Sequence, residues 1–349
     1  MSIIRLPGLI DVHVHLRDPG QTYKEDFYTG TSAALAGGFT TVLDMPNNKT
    51  PITSLNALRK KMLIARKKIV CDVGFYFGSL GDNLEEFAKV KNDVFGLKLY
   101  LNMTTGNYLI EEKKIPEVFA KWSSDKPILL HSEGGLIKKM IEYAKFYKRR
   151  IHICHISKQS ELELVMQAKK NKIKVTCGVT PHHLFLTKKD GKKLGSFAIM
   201  KPSLSSQKDV DYLWKHLSSI DIIESDHAPH TIEEKKSANP PYGVPGLETT
   251  LPLLLTAERE GKITVKKIID ICYINPQKIF NISPSFDSYL EVDIDESYII
   301  HSKQLKSKCR WTPFEGRKVT GKIKRVVIRD RLVFEDGIVL AKKGFGKVL

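Results

Sequence analysis

Long hydrophobic runs are missing from this chain. No apolar stretch approaches the roughly 20 residues that a membrane-spanning helix takes, so no membrane partner is expected. Met1–Gly8 has neither the charged region nor the apolar core of a signal peptide. Cysteine is scarce: five in 349 residues, at positions 71, 154, 177, 272 and 309. An odd, scattered set excludes a fully paired disulfide framework. Cys71, Cys154 and Cys177 fall at or inside strand-like runs, so reduced thiols in a cytoplasmic protein are expected. Low-complexity segments and a convincing internal repeat are absent too, which leaves no sign of a repeat architecture. Acidic residues are the minority charge, 39 against 56 basic ones, for a formal net charge of +17. Such a balance attracts anions, either nucleic acid or an acidic metabolite. The basic residues are spread along the chain, as on the helical stretch Leu58–Lys68, and no nucleic-acid motif accompanies them. They read as a lysine-rich surface, and no nucleic-acid partner is expected.

What is present is an alternation. Apolar content is 42%, ample for a large core. The length exceeds a typical domain, but α/β barrels run to ~250 residues as one unit. Eight β-rich runs are bounded by turn or polar residues: Leu9–His15, Thr40–Met45, Asp72–Ser79, Gly96–Leu101, Pro127–His131, Ile151–Ile156, Lys174–Val179 and Asp221–Ser225. Helical patterns lie between them, at Thr31–Gly37, Ser54–Lys68, Ile115–Ser123, Leu136–Phe146, Gln159–Lys170 and Asp209–Leu217. The alternation predicts an α/β fold, a (β/α)8 TIM barrel, with a doubly wound sheet as the alternative. The barrel is preferred because ionisable residues collect at the C-terminal ends of many different strands, where barrels build active sites. Helical patterns at Glu248–Arg259 and Val265–Tyr273 follow strand eight. Then come short strand-like pieces, Leu290–Ile294, Lys318–Val327 and Leu332–Val339. The expected division is a barrel over residues 9–280 and a small β appendage over 286–349 together with 1–8.

The strand ends carry the chemistry. The first run holds His13 and His15, two apart, so period-two geometry sends both imidazoles to one side. Two converging imidazoles make half of a metal site, and Asp226, after strand eight, is a carboxylate to complete it. Arg17 follows strand one and Asn47 strand two; Lys98 lies in strand four, His131 ends strand five, and His152 and His155 belong to strand six. His227 and His230 follow Asp226. A lone His-X-His is a weak signal. Combined with histidines on strands five and six and an aspartate on strand eight, it is a strong one. Lys98 is the anomaly, because an ammonium among metal ligands would be repelled unless it is neutralised or converted to an anion. His152 and His155 are three apart, so a regular strand sends them to opposite faces.

The residue set resembles the amidohydrolase superfamily. Its motifs match the dihydroorotases: His13-Val-His-Leu-Arg-Asp-Pro-Gly20, Tyr23-Lys-Glu-Asp-Phe27, Asp44-Met-Pro-Asn47, Gly96-Leu-Lys-Leu-Tyr-Leu-Asn102, Ile151-His-Ile-Cys-His155, Thr180-Pro-His-His-Leu184, Ser225-Asp-His-Ala-Pro-His230 and Pro245-Gly-Leu-Glu-Thr249. The wording is most similar to the dihydroorotase domain of the animal multifunctional pyrimidine-synthesis protein, and it continues to Arg310-Trp-Thr-Pro-Phe-Glu-Gly316. The chain begins almost at the barrel, as that domain does. The resemblance implies reversible cyclisation of N-carbamoyl-L-aspartate to L-dihydroorotate in pyrimidine biosynthesis. It also implies two zinc ions: His13, His15 and Asp226 would hold one, His131 and His155 the other, and a carboxylated Lys98 would bridge them. Asp226 would be the general base and acid, and His152 a structural residue. Arg17, Asn47 and His230 would grip the substrate carboxylate, Thr104 would sit on a mobile loop over the site, and backbone groups of Pro245 and Gly246 would meet the ring amide. The expected partners are a small anionic substrate, a second copy in a homodimer, and other pyrimidine-biosynthesis enzymes.

Three departures stand out. Lys201 occupies the place of a carboxylate-binding arginine, keeping the charge and losing the planar fork. Gly178 replaces a glutamate associated with an additional metal, so no third metal is expected despite Cys154. Thr105 replaces an aromatic residue, which puts loop closure in doubt. Two rivals share the outline. Another cyclic amidohydrolase, of allantoinase or dihydropyrimidinase type, would not need the Arg17 and Asn47 grip. A catalytically inactive dihydroorotase-like assembly domain would be expected to lose metal ligands, all of which are present here.

Overall fold

The computed structural model describes residues 2–106, 108–285 and 287–349. Met1 and Phe286, at the expected edges of the appendage, lie outside them. The chain folds as a (β/α)8 barrel with an antiparallel sheet beside it. The staves in order are β2 (Leu9–Val14), β3 (Phe39–Asp44), β4 (Asp72–Phe75) continued by β5 (Phe77–Gly78), β6 (Leu97–Tyr100), β7 (Ile128–His131), β8 (Ile151–Ile153), β9 (Val175–Val179) and β10 (Ile222–Ile223), preceded in the chain by β1 (Ile3–Pro7). Neighbouring staves pair in parallel. A parallel bridge between Val14 and His227 closes the ring, reinforced by the His15 amide donating to the His227 carbonyl at 2.8 Å. β2 and β3 are buried along their whole length, as strands covered on both faces must be.

Register stacks the interior in layers. Gly78, Lys98, Leu129, His152 and Thr176 are successive partners around the wall, so they form one inward-facing row. Tyr100 pairs with His131 one layer higher, at the C-terminal mouth.

Two expected strands are shorter than their sequence runs. β10 ends at Ile223 because the Ser225 amide leaves the ladder and donates to the Asp11 carboxylate, at 3.2 Å. β8 ends at Ile153, and the His155 amide donates instead to the Glu224 carboxylate. The helical stretch Leu55–Arg66 also departs from a uniformly solvated lysine-rich face. Lys61 is fully buried, on the stripe formed with Leu58 and Ala65, and pairs with Asp44 at 2.7 Å.

The appendage is a five-stranded antiparallel sheet ordered β1-β11-β12-β13-β14, with β11 Tyr289–Ile299, β12 Lys318–Ile328, β13 Arg331–Glu335 and β14 Ile338–Val339. β11 is longer than the expected Leu290–Ile294 and carries irregularities after Glu291 and Asp293, where its pairing with β12 shifts. The following segment returns to the barrel bottom. Val348 bridges Val73 in parallel. The Val73 amide donates to the Lys347 carbonyl at 2.9 Å and the Leu349 amide to the Val73 carbonyl at 3.0 Å. Among the described residues no helix is long and apolar enough to cross a membrane.

Candidate metal centre and active site

The mouth of the barrel holds a small cavity lined by His13, His15, Arg17, Asn47, Tyr100, Thr104, Thr105, His131, His155, Lys201, Asp226, Ala228, Tyr242 and Gly243. β2, β6, β7 and the loops after β8 and β10 therefore bring the sequence-identified ligands to one place. Arg17, His155 and Asp226 all have left-handed backbones, with φ of 61°, 38° and 44°. Non-glycine residues adopt this conformation infrequently, and here three of them converge on one cavity. At His155 it also alters the expected alternation. His152 stays in the inward row below, against Thr176 at 2.9 Å, while the turned backbone lifts His155 to the mouth.

Hydrogen-bond partners fix the imidazoles. Asn47 accepts from Nδ1 of His15 through its amide oxygen at 2.6 Å. Glu224 lies 3.0 Å from Nδ1 of His13. Burial opposes ionisation of Glu224, but His13 and His152 outweigh it and hold the carboxyl well below its usual range, so Nδ1–H of His13 donates. The Nε2 atoms of His13 and His15 then face Asp226 Oδ1 as lone pairs, at 3.4 and 3.1 Å. Two lone pairs meeting a carboxylate oxygen is an arrangement that a cation satisfies. Candidate ligand atoms of His13, His155 and Asp226 all lie within 4.8 Å of one another.

The second half of the cluster fits the same reading. His131 Nδ1 and His155 Nε2 are 2.9 Å apart, and His131 Nε2 and His155 Nδ1 have no partner among the described residues. Burial above all lowers the pKa of His13, His15, His131 and His155, which keeps these imidazoles neutral as ligands must be. Lys98 is fully buried. Its Nζ contacts Cys154 Sγ at 3.2 Å and makes no ion pair among the described residues, an expensive state for an ammonium.

Around this core lies a set of cationic and polar side chains. Arg17 donates through Nε to the Pro229 carbonyl at 3.2 Å and brings Nη2 to 3.2 Å from His230 Nε2. Lys24 Nζ meets His230 Nδ1 at 3.1 Å and Glu234 at 2.9 Å. His230 therefore accepts at Nδ1 and donates from Nε2 to the Tyr242 carbonyl, 2.9 Å away. Burial and Arg17 push its pKa down to about 3. Lys201 reaches the cavity wall, with Nζ 5.5 Å from the Tyr242 ring centroid. Thr105 ties the loop after β6 to the far wall, its hydroxyl donating to the Tyr242 carbonyl at 2.9 Å and accepting from the Tyr242 amide at 3.0 Å.

Pro245 and Gly246 differ from expectation. Neither lines the cavity; Tyr242 and Gly243 take that position. The Gly246 amide is committed to His227 Nδ1 at 3.2 Å, and His227 is 3.4 Å from Glu25 through Nε2. Three participants escaped the sequence reading: Glu224, Asp11 and Lys24. Glu224 had a usable signal, since it precedes Asp226 by two in a buried strand run, echoing His13 and His15. It stands beside Gly178, where a Cβ would come within 2.4 Å of its Oε1. Removal of the side chain at 178 thus makes room for a carboxylate from the neighbouring strand, and Glu224, His13 and Cys154 bring potential ligand atoms within 4.8 Å of one another.

Comparisons with known proteins show what the chain is similar to. Residues 4–333 match the model of the amidohydrolase family. The multifunctional protein CAD of Squalus acanthias is 43% identical over 348 residues, which cover 99% of this chain and 16% of that protein. The dihydroorotase of Pyrococcus horikoshii is 38% identical across 97% of this chain and 83% of its own length. Among solved structures, the L-hydantoinase (dihydropyrimidinase) from Arthrobacter aurescens superposes with a TM-score of 0.93 at 26% identity, covering 99% of this chain and 88% of that one. With its barrel, its buried histidine–aspartate cluster and a dihydroorotase relative matched over most of both chains, this chain belongs to the amidohydrolase family, in its dihydroorotase branch.

Proposed function

We propose that the chain is a dihydroorotase, interconverting N-carbamoyl-L-aspartate and L-dihydroorotate in pyrimidine biosynthesis. The observation that carries this reading is a carboxylate, Asp226, set between two metal-type imidazoles and the guanidinium of Arg17 in one cavity. His13, His15 and Asp226 would hold one zinc ion and His131 and His155 the other, with Lys98, as a carbamate, available as a further ligand. That carbamate forms when the neutral Lys98 amine adds to carbon dioxide, making an N–C bond and releasing a proton. It turns an uncompensated buried cation into an anionic ligand, which removes the anomaly at Lys98. The chemistry that such a metal pair supplies is activation of water near neutral pH and polarisation of the scissile carbonyl.

The protein's own residues do the rest. Arg17, Lys201 and the amide nitrogen of Asn47 hold the acid and orient the ring, while His230, engaged at both nitrogens by Lys24 and the Tyr242 carbonyl, stands behind Arg17; the oxygen of Asn47 is already engaged by His15. In the hydrolytic direction a C–O bond forms from water to the ring carbonyl carbon and the adjacent C–N bond breaks. Asp226 takes the proton of the attacking water and returns it to the departing ring nitrogen. Burial raises the Asp226 pKa, against the opposing pull of His13 and Lys98, which favours proton acceptance. Thr104 and Thr105 roof the cavity and limit access of bulk water. Work beside other pyrimidine enzymes is supported by the multifunctional relative, of which this chain spans about 16%.

The test is kcat/KM for dihydroorotate and carbamoyl aspartate, set against dihydrouracil and allantoin, with metal content measured on the same sample. Strong preference for the acids with two metals per chain is the expected result. Equal turnover of the neutral rings would move the chain to another cyclic amidohydrolase, and no turnover by metal-loaded protein would make it an assembly domain.

A further inference from the structure

Two tyrosine hydroxyls at the barrel mouth, those of Tyr100 and Tyr108, have no hydrogen-bond partner among the described residues although both side chains are buried. An unpaired buried hydroxyl is costly and points to a partner that arrives from outside the fold. Tyr100 follows Lys98 by two on β6, so it faces the barrel interior one layer above it. Its ring centroid is 5.9 Å from that of His131 and 5.7 Å from that of Tyr108, and Lys98 Nζ stands 5.0 Å from the ring. Backbone pairing anchors it, since the Ile110 amide donates to its carbonyl at 3.0 Å. Tyr100 lines the same cavity as Arg17, Asn47 and Asp226. Tyr108 lines the adjoining recess with Arg17 and Asn47. A tyrosine phenol keeps its proton throughout the neutral range and so is available as a donor.

Arg17, Asp226 and Tyr100 line one cavity, so a ligand held between the guanidinium and the proton carrier has the unpaired hydroxyl within the same enclosure. We propose that Tyr100 is a substrate-binding residue, its hydroxyl donating a hydrogen bond to the carboxylate of the acid held by Arg17, with the Tyr108 ring packed against it. This rests on the dihydroorotase reading above. A neutral donor to a carboxylate adds to the preference for an acid over a neutral ring without placing another cation beside the metal ligands.

Tyr100→Phe removes the hydroxyl and keeps the ring packing. Steady-state kinetics with dihydroorotate and carbamoyl aspartate should show KM raised about ten- to a hundredfold, as for loss of a hydrogen bond to a charged group, with kcat held within about threefold. The Tm should stay level or rise, because no protein group loses a partner. A KM within about twofold of wild type, or a loss confined to kcat, overturns the assignment. A marked fall in Tm overturns it too, since the hydroxyl would then pair within the fold. If wild-type protein loaded with metal turns over neither compound, the dihydroorotase reading falls and this one with it. If wild type is active and the variant is indistinguishable from it, only the role of Tyr100 falls.

Discussion

Asp226 has to serve as an ionised ligand and as a proton carrier, and its surroundings favour each in turn. His13 and His15 meet its Oδ1, while burial lifts its pKa. Asp226→Asn preserves volume and removes the charge and the acceptor. The expected result is a kcat loss of about 10²–10⁴-fold with an unchanged circular dichroism spectrum; near-normal turnover in metal-replete protein would exclude the role. Lys98→Ala should lose both metals and activity together, read by elemental analysis, and a variant that still carries two metals per chain refutes the bridging ligand. Lys201→Met tests the unusual lysine. Losing one charge-assisted contact should lower kcat/KM roughly ten- to a hundredfold, whereas a change within about twofold would show that Lys201 does not touch the substrate. At this scale the sequence was readable wherever a residue type is improbable in its setting, as with histidines at strand ends or Lys98 in an apolar run. Lys61 was hidden because its neighbours in the chain are lysine and arginine. Only its place on the stripe of Leu58 and Ala65 distinguishes it. For Pro245 and Gly246 a motif gives order along the chain, and not that a buried histidine, His227, engages the Gly246 amide.

Among the elements, the eight staves stood out as apolar runs, and their ends shifted where side chains compete for backbone. Asp11 and Glu224 take the amides of Ser225 and His155 out of the ladders, an effect that no propensity or periodicity encodes. The loop after β6 makes the same point in reverse. Loss of the aromatic residue at 105 put its closure in doubt, yet the threonine hydroxyl binds both backbone groups of Tyr242. Thr105→Val is nearly isosteric and lacks both bonds. Each such bond contributes about 0.5–1.5 kcal/mol, so KM for dihydroorotate should rise roughly tenfold if the loop roofs the site. An unchanged KM would show that the loop stays in place without the latch.

The whole molecule is a barrel sealed at its bottom by residues far along the chain. The Lys347 amide donates to the Asp72 carboxylate at 2.8 Å across 275 positions, and Arg329 clamps the same carboxylate at 2.7 Å. Deleting residues 344–349 removes the pairing with Val73 and should lower Tm by roughly 5 °C or more. It should leave kcat within about twofold, because the active cavity opens at the other end. A level Tm would mean that the tail merely rests on the barrel. The tail was unreadable in the sequence, since its pairing spans 275 positions and its residues have no strand pattern of their own.

That same pairing sets an order in time. A ribosome delivers β4 long before it delivers the segment that lies beside it, at roughly 5–20 residues per second. For that interval Val73 has its outer edge open, and a nascent barrel can close its ring of staves without its floor. This late segment thus completes a structure whose catalytic end is already assembled, and the interval is when a chaperone has most to gain by holding the chain.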